Sequence, residues 1–364
     1  MRNIKPLSLV IMVLLVLLCG CRAIGPKVVH RDRYDYNIAL ASSNKQELLL
    51  NLVRLRYDQV PMFLHVGAIS ASTKFTRTGS LTSRAFFPQT GPTSGEGTAF
   101  AQLDYSENPI FNYLPYDDKQ YTTQLLRMTS LKEVALLLQS SWSIAQVFRL
   151  VLQQAGTAVN APSAARSTSS YPPQFRSFLS MTQVLAKMQR NNAIQLSYHM
   201  TKDKVEELVL QLSPNYTLSP QDRRILHQAG ISIHQNRIVF SNTPGPHKAY
   251  VSTRSVLGMM NYLSKGVLIP PEDARAHLLT ITRYPNGQVF DWQLVLGNMM
   301  TIRYSDKPPT CATVAIPYRG HWYYIDDRDG NSKKTLILLS NVVGLIASIG
   351  QDDQGPPISL TRLS

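Results

Sequence analysis

Apolar and polar positions along the chain alternate between two periods, and the switches mark out the elements. Leu48, Leu49, Leu52, Val53 and Leu55 recur at helical spacing, so a helix is expected over 43–57. Ser43 would serve as its N-cap, Gln46 as the third position of a capping box, and Pro61 would stop it. Residues 62–75 are rich in β-branched and small side chains and read as a strand. A Gly/Ser/Thr/Pro loop over 79–97 leads to a return strand over 100–105, and Pro109 and Pro115 bracket a short strand at 110–114. Helical periodicity follows over 119–127, 131–139, 144–154 and 175–190.

Beyond Ala193 the period shortens. Strands are expected over 194–198 and 205–212, then a helix that Ser219 and Pro220 open and Gly230 closes. A hairpin follows at 231–240, then a helix over 253–263 ending before Gly266. Asn286-Gly287 is a strong hairpin turn between 280–284 and 289–296. Strands at 299–304, 312–317 and 322–325 complete an antiparallel sheet. A last helix over 333–348, capped by Asn331 or Ser332, would bury Leu336, Leu339, Val343 and Ile346 against it. Asn341 and Gly344 argue against reading this helix as a membrane span. The expected fold class is α+β: antiparallel sheets and hairpins packed with several helices.

The first twenty residues stand apart. Arg2 and Lys5 precede an apolar run over 7–18 broken only by Ser8, the length of a signal-peptide core and too short to span a bilayer comfortably. The run ends in Leu18-Cys19-Gly20-Cys21. This resembles the lipobox of bacterial lipoproteins, in which the small residue admits the peptidase and the cysteine thiol takes up diacylglycerol. The resemblance implies cleavage after Gly20 and lipidation of Cys21. Stable anchoring needs more than one acyl chain, and the lipoprotein modification supplies two or three. Arg22 stands where an inner-membrane retention signal would place Asp, which by analogy to enterobacterial sorting implies the periplasmic face of the outer membrane.

The expected organisation is a signal peptide at 1–20 and a tether at 21–41. A helical subdomain with a long β-hairpin follows at 42–156, a low-complexity Ala/Ser/Thr/Pro linker or loop at 157–173, and an α+β subdomain at 174–364.

Composition narrows the partners. The chain has 37 Lys+Arg against 23 Asp+Glu, a net charge of +14, of which Arg2 and Lys5 leave with the signal. The excess suits anionic partners such as lipid headgroups or acidic proteins. The basic residues are scattered, with no run longer than Arg223-Arg224 or Lys333-Lys334, and an exported chain rarely meets nucleic acid. Nucleic acid is therefore not an expected partner. With Cys19 removed and Cys21 acylated, Cys311 is the one remaining thiol, so no intrachain disulfide can form. Cys311 sits in an alternating stretch and reads as a buried strand residue.

The most unusual segment runs from Tyr318 to Asp329. Arg319, His321, Trp322, Asp326, Asp327 and Asp329 make it the candidate interaction surface. A calcium loop fails there, because aligning Asp327-Arg328-Asp329-Gly330 with an EF-hand puts Ile325 and Leu336 at ligand positions. Acidic residues ahead of a helix N-terminus, where negative charge is favoured, explain the run more simply. No two of the eight histidines stand three or four residues apart, and no nucleophile elbow, phosphate-binding loop or dinucleotide fingerprint is present. Glu107 with Asp117-Asp118 reads better as surface carboxylates than as a glycan-cleaving pair. The sequence thus assigns no catalytic, cofactor or metal residues, and the chain is not read as an enzyme.

Four stretches together resemble a family of uncharacterised lipoproteins from Gram-negative bacteria. They are Asn51-Leu52-Val53-Arg54-Leu55-Arg56-Tyr57 with Pro61-Met62-Phe63; Arg254-Ser255-Val256-Leu257 with Tyr262-Leu263-Ser264-Lys265-Gly266-Val267; Tyr318-Arg319-Gly320-His321-Trp322-Tyr323-Tyr324-Ile325-Asp326-Asp327; and Ser332-Lys333-Lys334-Thr335. The resemblance implies no activity. The expected role is structural or adaptor, in an envelope or secretion assembly, with the membrane and other envelope proteins as partners. The alternatives are an envelope enzyme acting on glycan or lipid, and a binding module for an anionic ligand using Arg54, Arg56 or Arg319. Arg54 and Arg56 lie about 200° apart on a helix, which keeps them from sharing one ligand.

Overall fold

The computed structural model describes residues 24–85, 95–115, 119–165, 172–297 and 299–349. The signal at 1–20, the lipidation site Cys21 and Arg22 lie outside the described residues. The chain divides into two compact units, residues 62–122 and the remainder.

In the larger unit, helix α1 (Ile24–Arg56) starts well before the expected cap at Ser43. The expected tether at 21–41 is therefore helical from Ile24 onward. After Pro26, which a first turn tolerates, neither Pro nor Gly recurs before Pro61, so the helix extends backward from its buried end. Residues 33–46 are mostly exposed, whereas Leu49, Leu52 and Val53 are fully buried.

The smaller unit is a ribbon of β1 (Leu64–Ala85) and β2 (Gly95–Pro115). The two pair antiparallel without interruption from Ile69↔Phe111 to Ala85↔Gly95, with one register shift between Val66 and Ile69. Of the loop expected over 79–97, residues 79–85 and 95–97 are strand, and 86–94 lie outside the described residues. The Ser and Thr residues of the paired part alternate with apolar ones and suit a ladder, and glycine content alone does not exclude pairing.

Helix α2 (Lys119–Leu126) leads to α3 (Leu131–Gln139). Ser130 and Glu133 form a capping box at the start of α3: Ser130 Oγ accepts from Glu133 N at 3.2 Å, and Ser130 N donates to Glu133 Oε2 at 2.7 Å. Helix α4 (Ile144–Val151) passes directly into β3 (Leu152–Ala155), three residues earlier than its apolar pattern predicts. β4 (Ala158–Val159) turns back on β3, and a 3₁₀ turn follows at Pro162–Ala165. Gly156 makes this reversal possible. Its φ is +59°, and a Cβ there would lie 2.2 Å from the Ala229 carbonyl oxygen.

Helix α5 (Arg176–Arg190) buries Phe178, Met181, Leu185 and Met188 along one stripe. β5 (Ile194–Met200) and β6 (Glu206–Leu212) form the expected hairpin. Helix α6 (Pro220–Gln228) begins as read, with Ser219 Oγ accepting from Asp222 N at 3.1 Å. Asp222 also pairs with Lys187 of α5 at 2.7 Å. Of the hairpin expected at 231–240, β7 (Arg237–Ser241) keeps only the tight turn closed by the isolated antiparallel bridge His234↔Arg237. It pairs antiparallel with β6 and parallel with β8 (Lys248–Thr253), across a connection of only 242–247.

The sheet order is β4-β3-β8-β7-β6-β5. Strands before and after residues 157–173 belong to this one sheet, so that segment does not divide the larger unit into subdomains. The boundary lies at the β1–β2 ribbon instead.

Helix α7 (Val256–Ser264) is buried along almost its whole length, with Met259, Met260, Tyr262 and Leu263 at 0% exposure. The short helices α8 (Pro271–Arg275) and α9 (Gln293–Leu296) follow. Asn286-Gly287 turns as expected, with Gly287 at φ +83°. Its flanks meet only in the isolated bridge Arg283↔Val289, because Asp291 Oδ1 accepts from Gln293 N at 2.9 Å and starts α9. The strand expected at 289–296 is replaced accordingly.

β9 (Arg303–Ser305), β10 (Ala312–Tyr318) and β11 (His321–Asp326) form the expected antiparallel sheet in the order β10-β11-β9. Cys311 is exposed and precedes β10, contrary to the buried position expected. Its carbonyl accepts from Asp327 N at 3.4 Å, but a register shift between Ala312 and Val314 ends the regular ladder before it. Helix α10 (Gly330–Ile349) closes the fold and buries Leu336, Leu338, Leu339 and Val342. No helix among the described residues is long and apolar enough to cross a membrane. The fold is α+β, as the sequence predicts.

Candidate functional site

Buried polar groups gather where α1 ends. Its apolar stripe anchors Leu52, Val53 and Leu55, and this fixes the next residues. Arg56 and Tyr57 are 7% and 3% exposed, and Asp58 turns the chain with φ +53°. The Tyr57 hydroxyl donates to Asp273 Oδ2 of α8 and stands 2.6 Å from the Tyr323 hydroxyl of β11. With its own proton on Asp273, Tyr57 accepts from Tyr323. Burial, followed by the bond to Asp273, pushes the Tyr57 phenol far above its ordinary value. Burial pushes Tyr323 up to about 12.

Aromatic rings and a guanidinium close this cluster. Tyr318 lies 5.6 Å from Tyr57 between ring centroids and donates its hydroxyl to Gln59 Oε1. Arg319 lies 5.4 Å over the Tyr57 ring. It is placed there by a two-residue hairpin turn in which Arg319 and Gly320 have φ +50° and +83° and Tyr318 pairs with His321. His321 fits between two carboxylates, Nδ1 at 3.0 Å from Asp306 and Nε2 at 3.1 Å from Glu272.

On the other side of Tyr57 two cations are buried together. Arg56 Nη1 donates to the Thr280 carbonyl at 3.0 Å, while its Nε has no partner. Burial lowers its guanidinium to about 10, opposed by Asp58. Lys265, the C-cap of α7, is 4% exposed. Burial, then the charge on Arg56, lowers its ammonium to about 8, again opposed by Asp58. Asp58 is exposed and accepts from Thr280 N at 3.1 Å and Thr280 Oγ1 at 2.9 Å. A lysine that sheds its proton near pH 8 is a better nucleophile or base than a surface lysine. A pair of buried cations facing one carboxylate is also suited to an anion.

The sequence candidates divide between this cluster and the turn after β11. Arg319 and His321 belong to the cluster, and Trp322 is half-buried beside them on β11. The acidic residues serve the turn into α10. Asp326 Oδ1 accepts from Arg328 N at 2.9 Å, and Asp327 pairs with Lys333 at 2.8 Å, which holds its carboxyl below the usual range. Asp329 caps α10, accepting from Ser332 N at 3.0 Å and Ser332 Oγ at 2.6 Å. The described residues contain no group of three or more His, Cys, Asp or Glu able to hold a metal ion. Arg54 turns back to Asn51 while Arg56 reaches Thr280, so the two arginines serve different partners.

Sequence reasoning missed Asp273, which only the fold brings to Tyr57, and the burial of Lys265. It also gave no role to Arg254, 2% exposed. Arg254 Nη1 donates to the carbonyls of Arg149, Leu150 and Leu152 at 3.2, 3.2 and 2.8 Å, Nη2 donates to that of Asn160, and the guanidinium lies 4.1 Å over the Tyr262 ring. This fork satisfies the carbonyls where α4 passes into β3 and sits at the negative end of the α4 dipole.

Two clefts lie elsewhere in the larger unit. One, of about 390 Å³, is bounded by Val159, Phe175, Tyr284 and Phe290. The other, of about 410 Å³, is bounded by Leu126, Met128, Arg254 and Asn261.

No protein-family model, no curated protein and no solved structure matches this chain. The stretches 51–57, 262–267 and 318–327 converge on one place, contributing Tyr57, Lys265 and Tyr323 to the cluster.

Proposed function

We propose that this chain is an outer-membrane lipoprotein, held on the periplasmic face by acylated Cys21, with a structural or adaptor role in an envelope assembly. The observation that carries this reading is the β1–β2 ribbon. It forms a unit of its own, its ladder runs regularly from Ile69↔Phe111 to Ala85↔Gly95, and among the described residues neither strand pairs with a third. A lone two-stranded ribbon is marginal in water, and its open edges invite another chain. The basic surface and the lipid anchor read from the sequence suit the same setting.

The test is chemical crosslinking in intact cells followed by mild detergent extraction and mass spectrometry. Recovery in a complex with other envelope proteins or further copies, with fatty acyl groups on Cys21, is the expected result. A lone monomer without acyl groups overturns the reading.

One observation favours a second reading, a binding module for an anionic ligand: the unpartnered Arg56 Nε beside the buried Lys265. Calorimetric titration with inorganic phosphate and with acetate tests it, and equal heats from the native chain and Arg56→Met would set it aside.

A further inference from the structure

The ribbon has two chemically different faces. From Ile69 to Ala85 every pairing joins residues of the same parity, Ile69↔Phe111, Ser70↔Ile110, Ala71↔Pro109 and onward. Successive residues of a strand belong to opposite faces, so odd-numbered residues of both strands share one face and even-numbered residues the other. Over 69–81 and 99–111 the odd face carries Ile69, Phe75, Leu81, Leu103, Tyr105 and Phe111, filled in by alanine, glycine, Thr73 and Pro109, with Arg77 and Glu107 among them. The even face carries Ser72, Lys74, Thr76, Gln102, Asp104 and Asn108, interrupted by two apolar residues, Phe100 and Ile110, and past them Thr82, Arg84, Glu96 and Thr98.

A water-soluble sheet with one apolar face covers it with a core. This ribbon forms a compact unit that contains only itself and the start of α2. The 13 residues from Ile69 to Leu81 and their partners keep a mostly apolar odd face against an even face that is polar except at Phe100 and Ile110. They span about 40 Å along the strand, and about 30 Å of membrane depth at the usual barrel tilt of about 40°. That depth matches the hydrocarbon core of a bilayer.

Among the described residues no third strand pairs with either outer edge of the ribbon. In hydrocarbon no backbone N–H or C=O can stay unpaired, so a strand pair enters lipid only as part of a closed barrel. We propose that the β1–β2 ribbons of several copies of this chain join edge to edge into a membrane-spanning β-barrel, with the odd face toward lipid and the even face lining a water-filled lumen. The proposal rests on the assembly reading above and names its partner: further copies of the same chain. Two strands per copy make the strand number even, and at least about four copies reach the smallest common barrel.

The odd face has two residues charged at neutral pH, Arg77 on β1 and Glu107 on β2. In a ring of ribbons the β1 strand of each copy lies beside the β2 strand of the next. Residues of opposite charge are therefore on the strands that meet between copies. The even face is rich in Ser, Thr and Asn and mixes both charges, as a hydrated lumen requires.

The test uses the full lipidated chain reconstituted into phosphatidylethanolamine/phosphatidylglycerol vesicles. Single cysteines are introduced in a Cys311→Ser background at successive positions 70–81 and labelled with an environment-sensitive fluorophore. Lipid-borne quenchers are expected to dim the odd positions and aqueous quenchers the even ones, and planar bilayers of the same lipids are expected to show stepwise conductance. Leu103→Asp is expected to abolish conductance, and Thr76→Asp to keep it with a shift in ion selectivity.

Because Leu103→Asp could act through misfolding, the quenching pattern of the otherwise native chain decides the matter. Uniform aqueous quenching along the ribbon overturns the barrel. Uniform aqueous quenching in a chain that still recovers envelope partners overturns the barrel and leaves the assembly reading standing. An acylated chain that shows alternating quenching and crosslinks only to itself supports the barrel and narrows the assembly to one component.

Discussion

Tyr57 and Asp273 lie 216 residues apart in sequence and are joined by a buried hydrogen bond in which the phenol is the donor. This bond ties the end of α1 to α8, and Tyr323 extends it to the β9–β11 sheet. Tyr57→Phe removes the donor from a carboxylate only 9% exposed, and the Tyr323 hydroxyl loses its acceptor. The expected cost is about 1–3 kcal/mol, read by urea unfolding. A double-mutant cycle with Tyr323→Phe is expected to show coupling of roughly 0.5–3 kcal/mol; strict additivity would show that the two hydroxyls act independently.

Lys265 gives the fold a pH dependence of definite sign. Its folded value, about 8, lies below the unfolded value of 10.5, so between these pH values the unfolded chain holds more protons. Stability from this group therefore rises from pH 8 toward 10.5, by up to about 3 kcal/mol. The raised values of Tyr57 and Tyr323 work in the opposite direction above pH 10, where the unfolded phenols ionise and the folded ones do not. Thermal melts from pH 7 to 10 are expected to climb in the native chain and to flatten in Lys265→Met, which should also melt higher at pH 7.

Arg254 is a buried charge with four carbonyls and no carboxylate. Its removal leaves those carbonyls without their donor, and Arg254→Met is expected to cost on the order of 3–5 kcal/mol. Arg254→Lys keeps the charge but lacks the planar fork, and is expected to recover less than half of that loss. Denaturant midpoints of the three proteins measure the difference; full rescue by lysine would show that charge alone matters at this point.

The acidic run after β11 separates by role. Asp329→Ala removes the α10 cap and is expected to cost about 1 kcal/mol. Asp326→Ala breaks only an exposed turn contact and is expected to stay within about 0.5 kcal/mol. Equal effects would contradict the capping geometry.

Where an element is set by neighbours in sequence, the chain announces it. Ser219-Pro220 opens α6, Ser130 with Glu133 opens α3, and the alternation at 194–212 gives a hairpin in its expected place. The misreadings fall where distant contacts decide. The apolar period of α4 continues past Val151, yet Leu152 pairs with Thr253 and becomes strand. Cys311 alternates like a strand residue, but it stands exposed just ahead of β10, where the register of the ladder shifts. Within the cluster, Arg319 and His321 were legible as an unusual run. Asp273 had no local signal, because its partner comes from the far end of the fold. The ribbon was half legible: its Gly/Ser/Thr residues read as loop because small polar residues suit both a turn and the wet face of a strand pair.

The regular ladder of β1 and β2 limits how this segment can change over generations. Adding one residue to either strand would exchange wet and greasy positions for everything beyond it, whereas adding two would preserve them. Viable descendants of this gene should therefore lengthen or shorten the ribbon in even steps, and every odd step should bring a bulge that restores the phase.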